Sequence, residues 1–148
     1  MKKINVKIVN KSINKLPAYS KVGDAGMDIR SNNDVDIVAG ETVMVPTGLY
    51  VQIPEGYEIQ VRPRSGLAIK SQITVLNAPG TIDSNYRGEI CVILHNACQV
   101  KGSVFHVNLG DRIAQLVLQK VPIINWELVD ELDESNRGTE GFGDSGIK

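Results

Sequence analysis

This 148-residue chain is short of cysteine, aromatic side chains, net charge, helical periodicity and long hydrophobic runs. Each shortage removes a class of protein. Two cysteines, Cys91 and Cys98, provide no disulfide framework, so a reducing, intracellular compartment is expected. No apolar run approaches the roughly 20 residues that a membrane-spanning helix needs. The apolar stretch after the basic pair Lys2-Lys3 is also far too short for a signal peptide. A formal net charge of −1 argues against a broad electrostatic surface for duplex nucleic acid or anionic membrane. The expectation is therefore a soluble, cytoplasmic protein. With aromatics at only 5%, its core must be built mostly from branched aliphatic residues.

Valine and isoleucine together number 33, against 10 leucines and 7 alanines, which favours strands over helices. Ile4 to Val9 alternates as a strand with one buried face, and Lys15 to Asp24 reads as a loop. Asp34 to Val38 is a short strand. Thr42 to Val45 and Leu49 to Ile53 flank Pro46-Thr47-Gly48, a break or bulge. Pro54-Glu55-Gly56 is turn chemistry leading into the alternating Tyr57 to Arg62, which makes a hairpin. Ser65 to Ser71 is the one helical piece, with Ser65 able to cap its start. Ile73 to Leu76, Glu89 to His95, Val104 to Val107, Arg112 to Val121 and Ile124 to Val129 complete the strands, with Glu89 to His95 apolar enough to be covered on both faces. Turn signals at this spacing indicate an all-β barrel or sandwich of one domain.

The stretch from Asn77 to Ile90 carries the densest chemistry. Between two turns it places one carboxylate, Asp83, beside a hydroxylated aromatic, Tyr86. A short hairpin exposes backbone donors and acceptors that can read the edge of a nucleobase. Asp83 can then hold a water, and Tyr86 can pack flat against a sugar.

The six arginines add a second signal. Arg30, Arg62, Arg64, Arg87, Arg112 and Arg137 all lie in glycine-punctuated stretches, whereas most lysines lie elsewhere. Guanidinium groups grip phosphates through paired hydrogen bonds, so this distribution points to a polyphosphate ligand. Ser65 and Gly66 at a helix start would add backbone N–H groups to such a site. The segment 137–146 holds four glycines and one aromatic, Phe142. A frayed end is the ordinary reading of such a tail, but a lone aromatic there suggests that it covers something.

Five stretches, in order, resemble the five motifs of the trimeric dUTPase family. They are Ala25-Gly26-Met27-Asp28, Pro63-Arg64-Ser65-Gly66-Leu67-Ala68, the run from Gly80 to Glu89, Gly110-Asp111-Arg112-Ile113-Ala114-Gln115-Leu116, and the tail from Arg137 to Gly146. The resemblance implies a jelly-roll-like β-barrel, a homotrimer, and active sites at subunit interfaces. It implies hydrolysis of dUTP to dUMP and pyrophosphate by water attack on the α-phosphorus, which limits uracil in DNA and supplies dUMP for thymidylate synthesis.

By the same resemblance, Asp83 activates the water, and Tyr86 underlies the deoxyribose and rejects a 2′-hydroxyl. Asn77 and the hairpin backbone at Gly80 read uracil. Ser65 and Gly66 hold the phosphate chain, Gln115 lies near the α-phosphate, and Asp28 positions Arg64 and the water shell of Mg²⁺. That ion is held by substrate phosphates and waters, with no direct protein ligand. Residues 1–136 form the body. Residues 137–148 form a flexible tail that closes over a neighbouring subunit's site, with Phe142 stacking on uracil and Arg137, Gly143 and Ser145 gripping phosphates.

Three positions depart from the family pattern: Met27 where an aromatic is frequent, Glu140 where glycine is usual, and Asp144 where serine or threonine is usual. Asp144 falls where the γ-phosphate is expected, and a carboxylate there would repel it unless it points away or meets Mg²⁺.

Gly143-Asp144-Ser145-Gly146 matches a serine-protease nucleophile motif, but a serine three residues from a glycine-rich end has no preorganised oxyanion hole. Cys91, His95, Cys98 and His106 match no common zinc spacing. Asp111 in Gly110-Asp111-Arg112 reads as turn chemistry. A dCTP deaminase on the same fold would need a second serine after the Arg-Ser pair and a catalytic glutamate, whereas here Gly66 follows Ser65 and Asp83 stands in that region. A nucleotide-gated binding module that switches a protein partner remains open as an added role.

Overall fold

The computed structural model describes residues 2–142. Ten strands and one short helix follow the turn punctuation of the sequence: β1 Lys7–Asn10, β2 Gly26–Arg30, β3 Val35–Val38, β4 Thr42–Gln52, β5 Tyr57–Arg62, α1 Ser65–Ser71, β6 Ile73–Val75, β7 Gly80–Ile82, β8 Glu89–Asn96, β9 Val104–Val107 and β10 Arg112–Lys120. One four-stranded sheet runs β1-β4-β8-β6, a second runs β2-β10-β5-β7, and β3 pairs with β9. Every pairing is antiparallel. The architecture is the expected all-β, jelly-roll-like one, although its sheets do not close into a continuous barrel.

The buried hydrophobic residues, from Ile29 and Ile37 through Val92 and Leu94 to Ile113 and Leu116, are all aliphatic. This is the consequence expected of a chain rich in β-branched residues and poor in aromatics. Each such side chain fully buried contributes roughly 1.5–3 kcal/mol. Polar groups inside are matched. The hydroxyl of Thr47 donates to the carbonyl of Ile90 at 2.6 Å, and Asn96 donates through Nδ2 to the carbonyl of Ile37 at 2.8 Å. No buried polar side-chain atom among the described residues lacks a partner.

Pro46-Thr47-Gly48 proves to be a bulge within one long strand rather than a break. The β4–β8 register shifts between Pro46 and Tyr50, and Gly48 adopts φ +70°. A Cβ at Gly48 would stand 2.9 Å from both the Cβ and the backbone nitrogen of Ser12, so glycine is required there twice over.

Four sequence expectations change. Asp83 does not sit at the tip of a paired hairpin, because β7 pairs with β5 while β8 pairs with β4 and β6. Residues 83–88 therefore form a corner between two sheets. Strand β8 alternates buried and half-buried residues instead of being covered on both faces. At the N-terminus, β1 is exposed along its length, with Ile4 and Val6 just ahead of it only half-buried.

The last expected strand, Ile124 to Val129, is not a strand: Trp126 is 85% exposed and Leu128 99% exposed. Its alternation is real, but no sheet edge among the described residues receives it. No helix among the described residues is long and apolar enough to cross a membrane.

Candidate active site

The corner between β7 and β8 builds a recess of about 380 Å³, a size in the range of small-molecule sites. Asn77, Gly80, Asp83 and Tyr86 all border it, so the structure brings together four residues expected to recognise nucleoside and water. Gly80 is buried, and a Cβ on it would meet Nδ2 of Asn77 at 3.2 Å and Cβ of Val61 at 3.3 Å. Its lack of a side chain lets the Asn77 amide lie over the strand. The backbone N–H of Tyr86 donates to the carbonyl of Asp83 at 3.1 Å, closing the turn that carries both side chains.

Glu89 and Cys91 also line the recess. Glu89 accepts the N–H of Gly48 on its Oε1 at 2.8 Å, tying the recess to the β4 bulge. Burial, and then the nearby Glu89 carboxylate, push the Cys91 thiol above its ordinary value. Cys91 is therefore a neutral thiol at neutral pH, set in the wall of the recess. Among the described residues no group of three or more His, Cys, Asp or Glu could hold a metal ion.

A second cluster forms where β2, β10 and the segment before α1 meet. Asp28 lies opposite Gln115 in the β2–β10 register. Its Oδ1 takes Nε of Arg64 at 2.9 Å, and its Oδ2 takes Nη1 of Arg112 at 3.3 Å. Nη1 of Arg64 also donates to the carbonyl of Arg112 at 3.1 Å. One carboxylate thus spans two guanidiniums, beside a recess that Asp111 also borders. Since the Asp28 and Arg64 side chains are 34% and 25% exposed, their pair adds only on the order of 1 kcal/mol to stability. Its larger effect is orientation.

Gln115 donates through Nε2 to the carbonyl of Pro63 at 3.0 Å, and its Oε1 would lie 2.5 Å from a Cβ on Gly26. The glycine of the first motif therefore makes room for the glutamine of the fourth. Arg112, one of the six arginines read from sequence as pointing to a polyphosphate, meets Asp28, a contact the sequence did not foretell. The signal available was its place two residues beyond Gly110 at the head of β10, which brings it beside Asp28 only once β2 and β10 pair.

Ser65 was expected as a helix cap, but the N-cap position is Arg64, with no side-chain cap hydrogen bond. The Arg64 side chain is turned to Asp28 instead, and Ser65 becomes the first helical residue, exposed at the rim of an opening it shares with Gln115. A Cβ at Gly66 would meet nothing within 4 Å, so its surroundings are open. The Asp83–Tyr86 recess, the Ser65–Gln115 opening and the Arg64–Arg112 recess are three separate depressions of a single chain.

The described tail residues that were singled out, Arg137 and Phe142, join none of them. Arg137 donates through Nε to the carbonyl of Glu140 at 2.9 Å, and Phe142 is fully exposed with φ 54°. Gly143, Asp144 and Ser145 lie outside the described residues.

The profile of the dUTPase family matches residues 13–146. The chain is 49% identical over 148 residues to the deoxyuridine 5'-triphosphate nucleotidohydrolase of Fusobacterium nucleatum, covering 99% of both chains. It is 49% identical over 145 residues to that of Finegoldia magna, covering 97% of this chain and 99% of the relative. The solved Staphylococcus bacteriophage 80alpha dUTPase with dUPNHPP superimposes with a TM-score of 0.85 at 26% identity, covering 97% of this chain and 99% of that one. The dUTPase of phage phi11 of S. aureus, whose structure concerns coordination of a structural Mg(II) ion, shares the fold with a TM-score of 0.79 at 23% identity, over 88% of this chain and 99% of that one.

Proposed function

The chain belongs to the dUTPase family, and on that premise we propose a division of labour among its residues. The reaction is hydrolysis of dUTP to dUMP and pyrophosphate. The observation that carries the residue assignment is the shared recess of Asn77, Gly80, Asp83 and Tyr86. Uracil is read by the Asn77 amide and the backbone at Gly80. Tyr86 packs against the deoxyribose, where a 2′-hydroxyl would collide with the ring. Asp83 draws a proton from the attacking water, general-base chemistry that requires a carboxylate within hydrogen-bond reach.

The α-phosphate is met by Gln115 and the phosphate chain by Ser65, Gly66 and Arg64, the last aimed by Asp28 and supported by Arg112. These groups supply fixed positive charge and donors where negative charge develops. Asp28 is already engaged by two guanidiniums, which fits a divalent cation carried by phosphate oxygens and water rather than by protein carboxylates. Mg²⁺ arriving with dUTP supplies charge neutralisation of the triphosphate.

The separation of the recesses within one chain supports a homotrimeric active site assembled between copies. So does the arm after β10, whose Ile123, Trp126, Leu128 and Leu132 are each at least 85% exposed. Apolar surface left in water at this density favours burial against another copy. The tail of residues 137–148, with Arg137, Phe142, Gly143 and Ser145, then closes over the bound nucleotide, and Phe142 covers the uracil.

Product analysis with dUTP, dCTP, dTTP and UTP, each with Mg²⁺, tests this reading. Pyrophosphate from dUTP alone is the expected result. A uracil nucleotide released from dCTP would move the chain to deaminase chemistry, and tight dUTP binding without turnover would leave a nucleotide-gated switch.

A further inference from the structure

Gly88 is not among the described glycines with a positive φ, so its backbone alone does not demand glycine. The demand comes from one neighbour. A Cβ placed on Gly88 would stand 2.5 Å from Cζ and 2.9 Å from Cε2 of Tyr86, and closer still to its hydroxyl oxygen. These three nearest atoms all belong to the same side chain. The hydroxyl end of the Tyr86 ring therefore occupies the space that a side chain at Gly88 would fill.

The ring is held there from its far end. The Tyr86 hydroxyl donates to the carbonyl of Glu89 at 2.9 Å, and the Glu89 carboxylate is itself fastened to the N–H of Gly48 at 2.8 Å. Tyr86 remains 44% exposed and borders the recess, so this seat and the hydroxyl's bond to Glu89 help to fix how far its ring reaches into it.

We propose that Gly88 is a positioning residue for sugar selectivity: its missing side chain sets the seat of Tyr86, and through it the rejection of ribonucleotides. The inference rests on Tyr86 being the residue that packs against the deoxyribose. Steric discrimination of a single hydroxyl requires the rejecting surface to be placed within a fraction of an ångström. A methyl group at position 88 cannot be absorbed by relaxation elsewhere, because the atoms it meets are those of the aromatic ring itself. The ring must leave its seat and its hydrogen bond to Glu89. Contact with deoxyribose is lost together with the barrier to ribose, so turnover of dUTP falls more than turnover of UTP.

The test is a double-mutant cycle in the full-length enzyme, with kcat/KM measured for dUTP and for UTP in Gly88→Ala, Tyr86→Ala and the double variant. Gly88→Ala should narrow the dUTP/UTP ratio by roughly tenfold or more, the scale on which one misfitted group changes pocket discrimination. Tyr86→Ala should narrow it as well, and adding Gly88→Ala to Tyr86→Ala should change it no further. An unchanged ratio in Tyr86→Ala would overturn the sugar-gate reading itself. A narrowed ratio in Tyr86→Ala with an unchanged ratio in Gly88→Ala would overturn only the role given to Gly88. Equal loss on both substrates that persists in the Tyr86→Ala background would mark Gly88 as merely structural. If Gly88→Ala fails to fold, thermal unfolding of the double variant decides: recovered folding identifies Tyr86 as the obstacle, and failure of both refutes the proposal.

Discussion

Asp28 and Arg64 meet at 2.9 Å although 36 residues separate them, and the same carboxylate reaches Arg112 across 84 residues. The pairing fixes the one group that leads into α1 against the strand that carries Gln115. It joins two arginines on different elements through one carboxylate.

Replacing Asp28→Asn keeps the shape but removes the charge that both guanidiniums share. A stability loss of about 1 kcal/mol is expected, as for a partly exposed pair, with a larger loss in kcat/KM for dUTP because Arg64 loses its aim. Urea unfolding and steady-state kinetics on the same preparation separate the two effects. Kinetics that fall no further than stability predicts would show that the pair is only a strut.

Asp83→Asn tests the general base. Turnover should drop by roughly 10²–10⁴-fold while binding of a non-hydrolysable dUTP analogue is retained. Full turnover in the variant would remove Asp83 from the chemistry.

Deleting residues 137–148 leaves β10 and the arm through Asn136 in place. The expected outcome is an unchanged oligomer in sedimentation with kcat lowered on the order of 10²-fold, since closure would no longer order the phosphate chain. A truncated enzyme as fast as the full chain would show that Arg137 and Phe142 take no part.

Cys91 offers a readout from inside the recess. Its folded pKa lies above the ordinary cysteine value, so the reactive thiolate is scarcer in the native protein at pH 8, and alkylation should reach its half-maximal rate at higher pH than in the denatured chain. Iodoacetamide labelling across pH 7–10, quantified on the peptide containing Cys91, measures this. A native midpoint at or below the denatured one would contradict the burial that places Cys91 beside Glu89.

Much of this protein is encoded in near neighbours. Alternating valines and isoleucines, interrupted by Pro54-Glu55-Gly56 or Asn108-Leu109-Gly110, specify strands and turns because side-chain period and backbone φ are properties of a few consecutive residues. The stretch from Asn77 to Ile90 likewise carries its recess residues within one local run, so Asp83 and Tyr86 are legible before any fold is known. What tertiary structure alone decided is which distant groups meet. No local pattern tells that β7 and β8 join different sheets, that Arg64 takes the cap position and turns its side chain to Asp28, or that Arg112 shares that carboxylate. Nor does alternation in Ile124 to Val129 reveal whether a sheet edge exists to receive it. Strand pairing is a contact between remote segments, and only the closed core, by excluding every other arrangement of its aliphatic side chains, selects one.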